Sequence, residues 1–569
     1  MDARHCWNPC AGMAHFVWRL CERFGTSYVV LCGCVYGLSQ GLGEGLYYPA
    51  QSYYFKDVLR LSALAAQSAA IVTHTPWVIK PLYGILSDNF PIHEYQRTYY
   101  LIGAAFVGIV CFVTLSIPQI GGGVAILLMF FANVSLSVPE VVIDAVNAER
   151  SKRYPEFASD LQSFSYGTLA ITGALGCLCS GFMVYYIGPT VMFGIISITS
   201  FSVFIPSVIG FLGEGRRSYL YQDADSDSLM ATEHGEQSLA PRVEIKDDKE
   251  IIGRRKSFRD DQTILLLRKP LFKAKKCVFT LEFAAEQWEF VRIGFIITGL
   301  VMAVTITLAV NASFSAIVGV TATVTCLICT TLYIFVYKKY PILAKATVFL
   351  FLRECFQPNL DTAFFYWYTS AADGPHFSPE FVGYINTMSY VSMFIGILVY
   401  SNFLKTWNYR TIFISVQLIL VLTNLLDFCL VTRANVALGI PDEVFVLGDS
   451  TFGPIVKRLY LMPMYVMASK LMVDGTEATL FSVLMSLSNF GYDVGSIFGS
   501  ILLTIFGVTD ENWTNFKYVL LLKSLLRMLP IFFVPLLVPP GTPMDPVEVM
   551  YGGKPGASSH IKDDEEINM

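Results

Sequence analysis

The chain's 569 residues are 54% hydrophobic and only 15% charged, with a mean hydropathy of +0.52. Soluble domains carry about a quarter charged residues, so this composition excludes a soluble globular protein and indicates a polytopic helical membrane protein. No nucleic-acid partner is expected, and the formal net charge of -5 conceals a sorting of charge between loops that says more than the sum.

In chain order, residues 1–27 lack an apolar core and carry Arg4, Arg19 and Arg23. No cleavable signal is therefore expected, and the first span acts as its own insertion signal. About 20 apolar residues cross roughly 30 Å of hydrocarbon. That length predicts an N-terminal six-helix bundle over 28–212, with spans near 28–50, 64–88, 99–118, 124–146, 160–187 and 189–212. A polar loop at 213–292 follows, then a hairpin of two spans (293–312 and 315–337) within 293–343. A second six-helix bundle occupies 344–538, with spans near 344–370, 381–402, 411–432, 453–471, 477–507 and 516–538; residues 539–569 form a tail. The stretch 453–471 is placed to start where Lys457 and Arg458 stand, so these two read as boundary charges.

Fourteen spans result, or twelve if the hairpin is not inserted, and the choice leaves the topology unchanged. With the N-terminus cytosolic, Arg97, Arg150/Lys152/Arg153, Lys338/Lys339 and Lys405/Arg410 all fall inside. Residues 119–123, 371–380 and 509–513, which lack Lys and Arg, fall outside. The exceptions are Lys56, Arg60, Arg433 and the Lys457/Arg458 pair. The central loop pairs an acidic serine-rich run with basic blocks at 254–259 and 268–276 that suit anionic lipid heads, and Ser257 follows three basic residues. Thirteen cysteines lie mostly in apolar helices, with no CxxC or Cys/His ligand spacing on a loop, so they read as small buried hydrophobes.

Ionisable residues inside spans are costly and mark pathways or partners. Lys80 stands eight residues before Asp88 at the end of its helix, about 12 Å deep at 1.5 Å per residue. It is flanked by Trp77 and Pro81, and it either attracts an anion or snorkels toward a paired neighbour. Glu140 and Asp144 share one face of the fourth span, one turn apart. Two carboxylates that close in low dielectric resist simultaneous ionisation, which suits proton uptake; the alternative is a salt bridge, with Lys80 as partner. Glu44, in a glycine-rich run, marks an interruption of the first span, and Asp493 and Lys470 are further candidates for the cavity. Gly84, Asp88 and Arg97 form a short signature between the second and third spans. It suits a latch in which Asp88 meets the N-terminus of the penultimate span near Gly475-Thr476. The aromatic run Phe364–Tyr368 reads as an interfacial belt, the alternative being a stack for a flat heterocycle. Ser163–Gly167 with Gly173 and Gly176, and Ser486–Gly491 with Gly495 and Gly499, form a weak internal repeat whose small residues mark helix contacts. Two six-helix bundles joined by a long loop are the plan of the major facilitator fold, with a hairpin inserted here between the halves.

Four blocks resemble the folate–biopterin transporter family of that superfamily. They are FKDVLRL (55–61) running on to PWVIKPLYGILSDNFPI (76–92), VVIDAVNAERSKR (141–153) with DLQSFSYG (160–167), GIPDEVFVLGDS (439–450), and GTEATLFSVLMSLSNFGYDVGSIFG (475–499). The extra hairpin is similar to that of kinetoplastid-type members. The resemblance departs at Met472-Val473-Asp474, where many members carry a Cys-Pro pair. It implies a secondary transporter of folate or biopterin, usually proton-linked, with S-adenosylmethionine as a rival substrate. The lipid bilayer and protons are the other partners, the plasma membrane is the default location, and no cofactor or metal is expected. On this reading Lys80 and Lys470 meet substrate carboxylates, while Glu140, Asp144 or Asp493 accept from the pterin edge. A non-transporting sensor would bring a folded soluble domain, for which the central loop lacks periodicity. An enzyme would need a nucleophilic or metal constellation, and the seven histidines are scattered.

The charge sorting makes a direct prediction. External protease should leave the 213–292 loop intact in whole cells and cut it in inverted vesicles; cleavage from outside would reverse the orientation.

Overall fold

The computed structural model describes residues 9–90, 92–93, 95–154, 157–214, 285–310, 313–337, 341–470 and 477–545, with backbone only at some of these, Asp88 and Lys470 among them. A backbone crossing lipid must bond to itself, and these residues are accordingly almost all helical. Nine helices among them are long and apolar enough to cross a membrane.

A helix expected only as tail, α1 (Pro9–Phe24), packs Leu20 and Phe24 into the first bundle and ties Arg19 to Asp160 at 2.8 Å. The first crossing, α2 (Thr26–Val58), runs unbroken but is wound wider as π-helix at Cys34–Gly43, directly before Glu44. The expected interruption is thus a change of winding rather than an unwound gap. The second crossing is split into α3 (Ala63–Val78) and α4 (Lys80–Asn89). Then follow α5 (Thr98–Leu115), α6 (Gly122–Arg153) and α7 (Ala158–Ile209). At Gly188 (φ 79°) α7 reverses, a left-handed conformation that glycine adopts freely. Its two limbs are separate crossings: Leu161 and Leu212 share one core cluster, whereas Gly194 lies against Ser116 at the far end.

The inserted hairpin is α8 (Ala285–Ala309) and α9 (Phe314–Leu332). The second bundle comprises α10 (Pro341–Cys355) with α11 (Asp361–Ser370), α12 (Pro379–Phe403), α13 (Tyr409–Val431), α14 (Asp442–Lys470), α15 (Glu477–Ile505), and α16 (Phe516–Leu526) with α17 (Leu529–Leu537). Four crossings lie outside these nine helices: α3/α4 and α10/α11, each broken into short helices, and α14 and α15. They carry Lys80, Arg353 with Glu354, Lys457 with Arg458, and Asp493, while Glu44, Glu140, Asp144, Asp427 and Lys523 stand on other crossings. The largest boundary difference is α14, which begins at Asp442 rather than near 453. Lys457 and Arg458 therefore stand at mid-helix.

The glycine repeat marks equivalent contacts in the two bundles. A Cβ at Gly45 would lie 2.7 Å from the Gly173 carbonyl and 3.1 Å from Gly176 Cα, so α2 and α7 meet backbone to backbone. A Cβ at Gly495 would lie 2.8 Å from the carbonyls of Glu354 and Gln357, which puts α15 against the first crossing of its own bundle in the same way. The run Phe364–Tyr368 is not a belt. Phe365, Tyr366 and Trp367 are buried, and Tyr366 donates to the Leu61 carbonyl at 2.8 Å. They seal the bundle end near Asp510, where one apolar cluster draws on both halves, from Tyr53 and Ala63 to Trp367 and Leu503. Toward the Arg97 end the first bundle has a core of its own, from Leu20 to Leu212.

Across the sealed end, Gly181 faces Pro379 O and Gly383 Cα, at 2.8 and 3.0 Å from where a Cβ would sit. Backbone cannot yield as a side chain does. Gly181→Leu should lower the thermal midpoint of the purified protein by several degrees, whereas Gly103→Leu, with nothing within 4 Å, should not.

Candidate functional site

The break in the second crossing positions Lys80. Ile79 leaves helical geometry (φ -89°, ψ 18°), and Pro81 has no N–H with which to bond the carbonyl of Trp77, four residues back. The second bundle answers: Asn489 Nδ2 donates to the Trp77 carbonyl at 2.9 Å, and the Ser486 hydroxyl donates to that of Val78. The same two crossings are joined nearer the Asp510 end, where Gln67 Nε2 donates to Ser496 O at 2.6 Å. At the very end the Asp510 carboxylate accepts from Ala63 N at 3.1 Å.

Lys80 is 6% exposed, and its Nζ lies 2.5 Å from Glu140 Oε2 and 4.6 Å from the centre of the Trp77 ring. Its ion-pair partner is thus Glu140; Asp144, one turn further along α6, instead accepts from the Tyr36 hydroxyl of α2. The four-residue spacing points both carboxylates the same way, and the one nearer the break captures the lysine. Trp77 is buried, and its Nε1 donates to Asn133 Oδ1 at 2.9 Å. Asn133 donates to the Tyr47 hydroxyl, which also receives Gln51. Its ring face is given to Lys80, so Trp77 orients the lysine rather than offering a free stacking surface. Glu44 stands in mid-span, half-buried, with no hydrogen bond or ion pair to a described residue, within electrostatic reach of Glu140 and Lys80.

Asp493 is buried at 3% exposure and lies 2.8 Å from His74 Nδ1, so it bridges the halves rather than joining the carboxylate group. The Lys470 side chain lies outside the described residues, as do the Asp88 side chain and Gly475-Thr476 of the expected latch. Gly84 is buried in α4. Arg97 is clasped by both Glu149 oxygens at 3.0 and 2.6 Å, and Glu214 receives the backbone N–H groups of Gln96, Arg97 and Thr98. That carboxylate caps the N-terminus of α5, where the helix dipole favours negative charge. Arg97 thus fastens loops inside the first bundle.

Several site residues were not singled out by the sequence. Tyr166 and Tyr465 stack across the halves at 5.9 Å and 12°, Tyr492 lies 5.6 Å from His74, and Lys457 and Arg458 face these rings. The misplaced start of α14 hid the two cations. The tyrosines had no signal of their own, because a tyrosine in an apolar helix looks like core until the partner bundle is in place.

Two six-helix bundles with charged groups gathered between them at mid-membrane are the plan of a multi-pass membrane protein of major facilitator fold. The model of the BT1 family matches residues 40–549, and the chain belongs to that family. It is similar to "Probable folate-biopterin transporter 2" of Arabidopsis thaliana, 27% identical over 94% of this chain and 87% of that one. It is likewise similar to the "Folate-biopterin transporter" of Synechocystis sp., 25% identical over 88% of this chain and 79% of that one. An auto-inhibited POT family peptide transporter of known structure shares the fold, with a TM-score of 0.57 at 10% identity over 90% of this chain and 96% of that one.

Removing one member of a buried ion pair typically costs about 3–5 kcal/mol, because the other charge is left uncompensated. Lys80→Ala and Glu140→Ala should each lower folded yield and thermal midpoint, and the double variant should recover much of both. Lys80→Ala/Asp144→Ala should recover neither.

Proposed function

We propose that this transporter carries a pteridine, folate or biopterin, across the plasma membrane together with protons, with both termini and the central loop in the cytosol. The names of its relatives supply the substrate class. The observation that carries the reading is the mid-membrane group of Glu44, Glu140 and Asp144 with Lys80. A pterin ring presents an amino-pyrimidinone donor edge for a carboxylate to accept, and tyrosine rings flank the space between the bundles. Importing an anion against an inside-negative potential costs about 2.3 kcal/mol per charge per 100 mV, which a proton taken up alongside offsets.

The proton sites are Glu140 and Asp144. Protonating Glu140 releases the Lys80 ammonium for a substrate anion. Asp144 is faced by Tyr28, Cys32 and Tyr36 of α2, Lys80 of α4, Tyr166 of α7, and Tyr465 of α14. Of these, Lys80 is the cation.

Cells expressing the chain should accumulate radiolabelled folate or biopterin when the outside is acidic. Glu140→Gln or Asp144→Asn should abolish accumulation driven by the pH gradient while leaving substrate exchange. Unchanged pH dependence in both variants would remove the pair from coupling. Uptake of S-adenosylmethionine alone would give the carboxylates a cationic substrate instead, and no uptake of any of the three would favour a sensor.

A further inference from the structure

Most of the described cations deep in the crossings have a polar partner, Arg527 among them, which donates to Asn424 Oδ1 at 2.8 Å. Lys80 is paired with Glu140, Arg353 with Glu354, and Lys523 with Asp427 at 3.4 Å. Lys457 and Arg458 are different: no carboxylate among the described residues lies within ion-pair distance of either. They stand 15 and 16 residues from the start of α14 at Asp442 and 13 and 12 from its end at Lys470. At 1.5 Å per residue that is about 20 Å from either end. Neither can snorkel so far, and a cation left there without a counter-charge is costly.

Their surroundings are aromatic and weakly polar. The Arg458 guanidinium lies 5.5 Å from the centre of the Tyr166 ring and abuts the Met393 thioether. The Lys457 ammonium lies 5.8 Å from the centre of the Tyr492 ring, and its side chain is exposed. Ring faces attract cations but do not neutralise them. Opposite, the first bundle presents Glu44, Glu140 and Asp144 against one lysine. Glu140, Asp144 and Arg458 all lie within electrostatic reach of the stacked Tyr166–Tyr465 pair. The second bundle has carboxylates near these rings too, Glu354, Asp361 and Asp493, but Glu354 is held by Arg353 and Asp493 by His74, so α14 presents the basic side of the space.

We propose that Lys457 and Arg458 form an anion subsite that receives the carboxylate tail of the substrate, so that the transporter favours pteridines with an acidic side chain over uncharged ones. The choice of pteridine rests on the function proposed above; the anion subsite itself does not. A substrate with a donor-rich head and an anionic tail has one favourable orientation here, with its head on the carboxylates of the first bundle and its tail on α14. The planar guanidinium takes one carboxylate through two parallel hydrogen bonds, and the ammonium takes a second as a point charge.

Two measurements on the full-length protein test this. In the first, p-aminobenzoyl-L-glutamate, an anionic tail without a pterin, is added to purified protein. It should raise the thermal midpoint of the wild type, while uncharged p-aminobenzamide should not. The shift should be lost in Lys457→Gln and Arg458→Gln and partly kept in Arg458→Lys. In the second, uptake is measured with folate and with biopterin. Each glutamine variant should raise the KM for folate at least tenfold relative to its effect on biopterin. Equal loss for both substrates, an unchanged ratio, or a tail fragment that fails to stabilise the wild type would each overturn the subsite. If the fragment binds the wild type through these residues but neither pteridine is transported, the substrate class falls and the anion subsite stands.

Discussion

A backbone carbonyl released inside a bilayer has no water to turn to, and the break at Ile79 releases two. Much of the centre of the molecule follows from how they are satisfied. Pro81 prevents the helix from taking back the Trp77 carbonyl, so Asn489 and Ser486 of the other bundle supply the donors. The break also starts a new helix at Lys80, which aims the ammonium at Glu140 over the Trp77 ring. One local violation of helix geometry thus places the central cation and ties the two bundles together at the same depth.

Charge is sorted around this point with a consistent logic. Pairs that serve only to hold helices are closed within one bundle: Arg97 with Glu149, Arg353 with Glu354, Lys523 with Asp427. His74 with Asp493 crosses the seam. Glu44, Lys457 and Arg458 have no ion-pair partner among the described residues, and Asp144 and Arg527 have neutral partners, Tyr36 and Asn424. Buried pairs contribute little net stability, so the closed ones are best read as fixing register.

The fold was legible because its signal is long-range and redundant. Hydropathy gives the spans, and glycine spacing marks the same helix contact in both halves. The site was legible only in part. Lys80, Glu140, Asp144 and Glu44 stood out as charges in apolar runs, and they do gather. Which carboxylate takes the lysine was not legible, since it depends on the break at Ile79 and not on the four-residue spacing. Lys457 and Arg458 were hidden because a hydropathy reading ends a span at a charged pair; Asp442 as the true start emerges only when α14 packs along α12 and α13. Phe364–Tyr368 misled for the converse reason. An aromatic run near a boundary has the composition of a belt whether it faces lipid or, as here, the opposite bundle.

In a fold whose halves rock about a central site, the seam between α3/α4 and α15 must change. The inserted hairpin lies over that seam: Gly294 packs on Ile85 and Pro81, the Thr75 and Thr305 hydroxyls meet at 2.9 Å, and one apolar cluster takes in Val78, Ile297 and Leu487. Apolar contact is non-directional, so the hairpin can follow a sliding seam at small cost. The hydrogen bonds at the break cannot. When α15 moves away, the Trp77 and Val78 carbonyls lose their donors, at about 1–3 kcal/mol for each buried group left unpaired. Water entering between the bundles removes that cost. Separation of the bundles at this depth is therefore coupled to wetting of the break, and wetting brings solvent to Lys80 and Glu140.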